Sequence, residues 1–268
     1  VLLPVFAIVL VAASPTSPQG ADLLDQGYHD MYNLEFNDAH RCFREWERVH
    51  PDDPMGPVSD AAAYLFSEFD RLKILRSEFF YNDKTFLNSK KLKPDLQIKH
   101  DFEADLARSQ RMAESILARS PADEGAQLAS VLRLALESDY AALIDKQYWQ
   151  ALNETKETRT YAEKLLAKHP DCYDADLAVG VENYLLSQKP APVRWVLKLT
   201  GAQTDEETGI AKLRVVAEKG HYLKPFAEML LAIAALRAND KPEAKRLLST
   251  LASQFPQNDL FRDELAKL

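Results

Sequence analysis

The chain has 268 residues, 46% of them apolar, which supports a substantial core and excludes a largely disordered polymer. Its 33 basic against 41 acidic residues leave a net charge of −8, which argues against a nucleic-acid backbone as the main partner. Eight glycines, about 3% against a usual ~7%, are too few for a hairpin-rich β protein and favour long helices with short connections.

Residues 1–13, Val1 to Ala13, are apolar throughout, whereas a bilayer-spanning helix needs ~20 such residues. They read as the hydrophobic part of a signal peptide, with Val11, Ala12 and Ala13 as the small residues before a cut at Ser14, although no Lys or Arg precedes the run. Export to the periplasm or beyond the cell is the expectation, with no membrane-spanning segment. Residues 14–20 form a Pro/Ser/Gln linker, and a helical body is expected over 21–268.

Four stretches of that body share one spacing: a small residue, a packing residue four later, another three beyond, and a proline five further on. They are Ala39, Phe43, Trp46, Pro51; Ser109, Ala113, Ile116, Pro121; Thr158, Ala162, Leu165, Pro170; and Ala244, Leu248, Leu251, Pro256. Steps of four and three keep those side chains on one helical face, and the proline after them stops the helix. In the first copy Leu23, Leu24, Gly27, Tyr28, Met31 and Tyr32 predict a preceding helix, with a break at Asn37 and Asp38. Gly27, twelve before Ala39, is placed to let the two helices approach closely.

Further along, helices are predicted over 59–80 and 95–119, joined by a polar connection with Lys84, Lys90, Lys91 and Lys93 that reads as a solvated loop. Residues 128–149 form an extended helical hairpin carrying Tyr140, Tyr148 and Trp149. After Pro170, Gly180 takes the place that Gly27 takes in the first unit. An insert follows, in which Pro192 at a first turn and Gly201 past the end frame a short helix bearing Arg194, Trp195 and Lys198. Thr204 and Glu207 predict a capping box for the next helix, with Ile210, Leu213 and Val216 on its buried side. The last unit has Pro225 opening one helix, Asn239 and Asp240 turning, and Pro242 opening its partner. Residues 259–268 read as a capping helix that covers the open end with Leu260, Phe261 and Leu265.

The series Gly27, Ala39, Phe43, Pro51 resembles the tetratricopeptide repeat, and the proline spacings suit repeats of ~34 residues with insertions. This resemblance implies an all-α, right-handed superhelical solenoid of antiparallel helix pairs. The stretch from Trp195 through Thr204, Asp205, Gly209, Ile210 and Leu213 to Pro256 loosely resembles the inclusion-body-clearance type of tetratricopeptide protein, which implies no catalytic residues.

The chemistry search yields no zinc-type His-Glu-x-x-His run, no Gly-x-Ser-x-Gly elbow and no glycine-rich phosphate loop, so no catalytic residue, cofactor or metal is assigned. His29 and His40 lie on adjacent helices of the first hairpin; Cys42 and Cys172 fall in different units and read as packing residues. In the tetratricopeptide class the first helix of each hairpin lines the concave side. The resemblance therefore implies a partner-binding face of Tyr28, Met31, Tyr32, Leu132, Leu136, Val181, Tyr184, Ile233 and Arg237, with Trp195 as an exposed anchor or a plug. The leading expectation is a non-enzymatic scaffold or adaptor for a protein or peptide partner in a bacterial envelope. The rivals are a small-molecule binder or enzyme using a cavity between the 187–204 insert and the concave face, and a structural module of an envelope assembly.

Overall fold

The computed structural model describes residues 20–75, 92–189 and 191–268. The apolar leader, nearly all of the linker, and Lys84, Lys90 and Lys91 of the basic loop lie outside them. Among the described residues there are helices and turns only, and no helix is long and apolar enough to cross a membrane.

The helices are α1 (Gly20–Tyr32), α2 (Phe36–Val49), α3 (Met55–Arg71), α4 (Leu96–Arg119), α5 (Glu124–Asp139), α6 (Tyr148–Leu166), α7 (Asp176–Ser187), α8 (Ala191–Leu199), α9 (Glu206–Lys219), α10 (Lys224–Arg237), α11 (Lys241–Gln254) and α12 (Asp259–Ala266). They pack in neighbouring pairs: α1 with α2, α3 with α4, α5 with α6, α7 with α9, and α10 with α11. The second helix of each pair also packs on the first helix of the next, and α12 covers α11, where Phe261 is buried. Helix α8 stands apart as an excursion between the two members of the fourth pair.

One turn recurs at the predicted prolines. The residue before each proline donates its amide to the carbonyl four positions back: His50 to Trp46 at 2.7 Å, Ser120 to Ile116 at 2.7 Å, His169 to Leu165 at 2.8 Å and Phe255 to Leu251 at 2.9 Å. Its own carbonyl then accepts from Asp53, Asp123, Cys172 and Asn258 in turn, at 3.0–3.1 Å. The proline keeps the preceding residue out of the helical region, His50 taking φ −129° and ψ 67°, which ends the helix. In three of the four turns the closing Asp or Asn side chain then captures a backbone amide of the next helix, Met55, Ala126 or Leu260. Cys172 has no carboxylate or amide to offer, and the chain passes instead through a short 3-10 turn at Tyr173–Ala175.

A fifth copy of the spacing was missed because it lacks the proline. Gly209, Leu213 and Val216 are buried on α9, and Gly220 donates to the Val216 carbonyl at 2.8 Å, but its own backbone is extended (φ −62°, ψ 153°), and His221 stands where proline stands elsewhere. Gly27 behaves as expected: a Cβ there would overlap the buried Phe43 ring. Gly180 faces Leu213 across the fourth pair.

Several boundaries differ from the sequence reading. Helix α1 ends at Tyr32, and the break falls in the following turn at Leu34, in the left-handed region at φ 64°, rather than at Asn37 and Asp38, which belong to α2. Helix α3 spans Met55–Arg71, starting before Ser59. Residues 140–144 continue α5 as a π-helical turn in which Asp145 donates to the Tyr140 carbonyl at 3.1 Å. Helix α9 is capped by Asp205, whose carboxylate accepts from the Thr208 amide at 2.7 Å. The Thr204 hydroxyl is buried and caps nothing.

The row of pairs also curls until its ends touch. Tyr28 of α1 stacks on Tyr222 with ring centres 4.7 Å apart, Tyr32 packs against Phe255, and Phe66 of α3 meets Phe226 of α10 edge-on. The flank expected to be open at the first unit is closed by the chain's own C-terminal third.

Candidate functional site

Helix pairs joined in series have two edges. At one edge lie the turns within pairs, near Leu34, Lys146 and Asn239; at the other lie the turns between pairs. On the second edge a cleft of about 410 Å³ opens among Met55, the start of α5 at Glu124, Gly125 and Leu128, the turn at 171–174, and the turn at 219–222.

Asp174 builds this cleft. Its buried carboxylate accepts three backbone amides, from His221 at 2.9 Å, Tyr222 at 3.0 Å and Leu223 at 3.2 Å. Three amide donors satisfy both carboxylate oxygens, and the start of α10 is fixed. Gly220 is required beside it, since a Cβ there would lie 2.8 Å from the same carboxylate. Tyr222, held in this way, presents one face to Tyr28, while the His221 ring stacks on it at 4.2 Å. His221 Nε2 reaches Asp25 of α1 at 2.7 Å.

Several groups around the opening are already engaged. Burial, with the nearby charges of Glu124 and Asp174, pushes the Cys172 thiol up to about 12, so it remains a protonated thiol at neutral pH and not a nucleophile. Lys219 lies over the Tyr173 ring at 5.3 Å, and His169 bridges the Ala122 carbonyl at 2.8 Å and Glu124 at 3.3 Å. Glu124, Asp171 and Lys219 remain exposed to solvent. The arrangement is two accessible carboxylates and a cation around an apolar floor of Met55 and Leu128, suited to holding a group that is itself part cationic and part apolar. Among the described residues no cluster of three or more His, Cys, Asp or Glu is placed to hold a metal ion, and both cysteines are free.

The sequence-derived face is only partly assembled here. Tyr28 and Tyr32 are buried against the C-terminal third; Met31, Leu132, Leu136, Tyr184 and Ile233 are buried within the row; Val181 and Arg237 are half-buried. Leu132 and Leu136 continue the helical face of Leu128 inward from the cleft, and Tyr28 touches it through Tyr222. Trp195 lies elsewhere, on α8, and is 65% exposed: it is no plug. Asp174, Tyr222 and Glu124 were not anticipated. The signal that could have found them was the unrecognised fifth repeat, which ends at His221 beside Tyr222.

The returning end of the insert is fixed by a buried ion pair. Fully buried Glu182 accepts from Arg159 Nε at 2.6 Å and from the Gln203 amide at 3.0 Å, and Arg159 also reaches the Gly201 carbonyl at 3.3 Å. These bonds clamp the returning end of the insert onto α6 and α7.

A second charged cluster crosses α2, α3 and α4. His40 Nδ1 pairs with buried Asp60, Arg44 Nε donates to the same carboxylate at 3.2 Å and its terminal nitrogen to the Tyr64 hydroxyl at 2.6 Å. Arg108 bridges Glu47 at 2.7 Å and Asp105 at 2.8 Å. Burial lifts Glu47 to about 7 and Asp105 to about 6 despite Arg108. His40 is thus taken by Asp60, while His29 packs on Phe255.

No protein-family model matches this chain, and no curated protein matches it either.

Proposed function

We propose that this protein is a non-enzymatic adaptor of the tetratricopeptide type, exported to the envelope, that holds a segment of a protein partner in the cleft around Asp174. The helix pairs would form a right-handed superhelix with insertions, and the apolar leader would carry it to the periplasm or outside. The observation that carries this reading is the cleft itself: it lies where successive pairs meet, and its buried polar groups are satisfied internally while Glu124 and Asp171 stay exposed. A basic side chain flanked by an aliphatic one would meet those carboxylates and the Met55 and Leu128 floor.

Panning the full chain against a random peptide library tests this. Enrichment of peptides with a basic and an aliphatic residue, binding at least tenfold more weakly to the Glu124→Lys, Asp171→Lys double variant, is the expected result. Peptides that bind both forms equally, or no enrichment by folded protein, would remove the cleft from the account.

A further inference from the structure

Helix α8 is amphipathic the wrong way round. Pro192, Trp195, Val196 and Leu199 stand at i, i+3, i+4 and i+7, the spacing of a stripe that ordinarily faces a core. Here that stripe faces solvent, with Trp195 at 65%, Val196 at 49% and Leu199 at 67% exposure. The opposite side makes the attachment: Leu197 is buried, and Arg194 Nη1 donates to the Ser187 and Lys189 carbonyls, each at 3.1 Å. Inward bonding therefore fixes the orientation, and the outward stripe is a stable feature of the surface.

A second exposed aromatic belongs to the same side of the molecule. Lys156 of α6 donates to the Thr200 carbonyl at the end of α8, and Trp149, 77% exposed, shares its helical face two turns earlier, about 10 Å along the axis. Charge follows a pattern too. In a chain of net charge −8, residues 183–204 contain Lys189, Arg194 and Lys198 and no Asp or Glu.

The geometry points to α8 as an interfacial docking helix for an anionic lipid surface. A helix carrying tryptophan and aliphatic residues on one side and an exposed lysine, Lys198, on its flank lies in the headgroup region, apolar side down, with that cation at the phosphate level. The size of the feature favours a bilayer over a protein: a stable protein interface needs ~800 Å² per partner, whereas nine residues span only about 14 Å. The stripe sits on the edge of the within-pair turns and the cleft on the edge of the between-pair turns, so the two surfaces stand or fall separately.

Co-sedimentation of the full chain with vesicles tests the inference, using phosphatidylglycerol-containing vesicles against pure phosphatidylcholine. Binding to the anionic vesicles only, reversed by salt, is expected, with partitioning reduced roughly tenfold in Trp195→Ser and by at least that in Lys198→Glu. Both side chains are exposed, and an unchanged melting curve for each variant shows that folding is intact. Equal binding to both vesicle types, failure of folded protein to bind either, or a dimer that protects Trp195 in the absence of lipid would each overturn it.

Discussion

The hydroxyl of Tyr32 donates a 3.1 Å hydrogen bond to the carbonyl oxygen of Tyr222, joining α1 to the turn before α10 across 190 positions. Asn258 completes the seam, donating from Nδ2 to the Tyr32 carbonyl at 2.8 Å while its Oδ1 caps α12 at the Leu260 amide. Rows of helical pairs draw most of their stability from neighbours in sequence. This seam adds a long-range contribution.

Tyr32→Phe is expected to cost about 1 kcal/mol, because a buried contact loses its donor, and Asn258→Ala about 1–3 kcal/mol, because a seam bond and a cap are lost together. The two variants should couple, since both act on residue 32. Urea unfolding of the double-mutant cycle measures this. A neutral Tyr32→Phe with strict additivity would mean that the ends do not meet in solution.

Glycines separate into those that permit close helix packing and those that do not. At Gly209 a Cβ would lie 2.5 Å from the Tyr184 amide nitrogen and 2.9 Å from its Cα, so α7 and α9 would have to part. Gly209→Ala should therefore destabilise by about 3 kcal/mol or more. Gly125, in the exposed first turn of α5, meets nothing closer than 3.7 Å, and Gly125→Ala should stabilise by about 0.5–1 kcal/mol. Thermal unfolding gives the sign of each, and equal effects would contradict the packing described.

The same residues show what the sequence could and could not convey. Prolines at 51, 121, 170 and 256 act on backbone within their own turn, so their consequence was readable locally, as was the demand for a glycine at Gly27. The left-handed residues that end first helices were mostly unreadable: Asn239 is a natural occupant at φ 58°, but Leu34, Lys73 and Lys146 have no residue-type preference for positive φ. They close the helix ends locally, with Glu35, Ile74 and Gln147 donating back to the Asp30, Phe69 and Ala141 carbonyls. The closure of Tyr28 and Tyr32 onto Tyr222 depends on how far the whole row curls, a sum over every pair that no window of residues contains. Of α8 only the framing by Pro192 and Gly201 was visible; which side Arg194 and Leu197 would bind, and hence that the apolar stripe faces outward, was not.

Asp174 gives a sharper test of the site. A carboxylate that accepts three amides is replaced poorly by a carboxamide, whose NH2 would face one or more of the same donors. Asp174→Asn should cost about 2–4 kcal/mol and loosen the turn at 219–222. Amide hydrogen exchange at His221, Tyr222 and Leu223 should accelerate beyond the change expected from global stability alone. Unchanged protection at these three amides would show that the carboxylate does not organise the cleft.

The cluster on α2, α3 and α4 makes stability depend on pH in an unusual direction. Burial raises Glu47 from its ordinary 4.5 to about 7 and Asp105 from 3.8 to about 6, with Arg44, Asp60 and Arg108 facing them from the three helices. Carboxyls with raised values bind protons more tightly in the folded state. Their stabilising contribution is therefore complete below the unfolded values and is lost as pH rises through about 6 and then about 7. On this account the contribution from these two groups declines from mildly acidic to neutral pH, the reverse of an ordinary salt-bridged carboxylate. Glu47→Gln, which cannot ionise, should flatten that decline while keeping most of the packing. Urea midpoints of both proteins across this range measure the difference, and parallel curves would show that Glu47 is already ionised throughout in the folded state, held by Arg108.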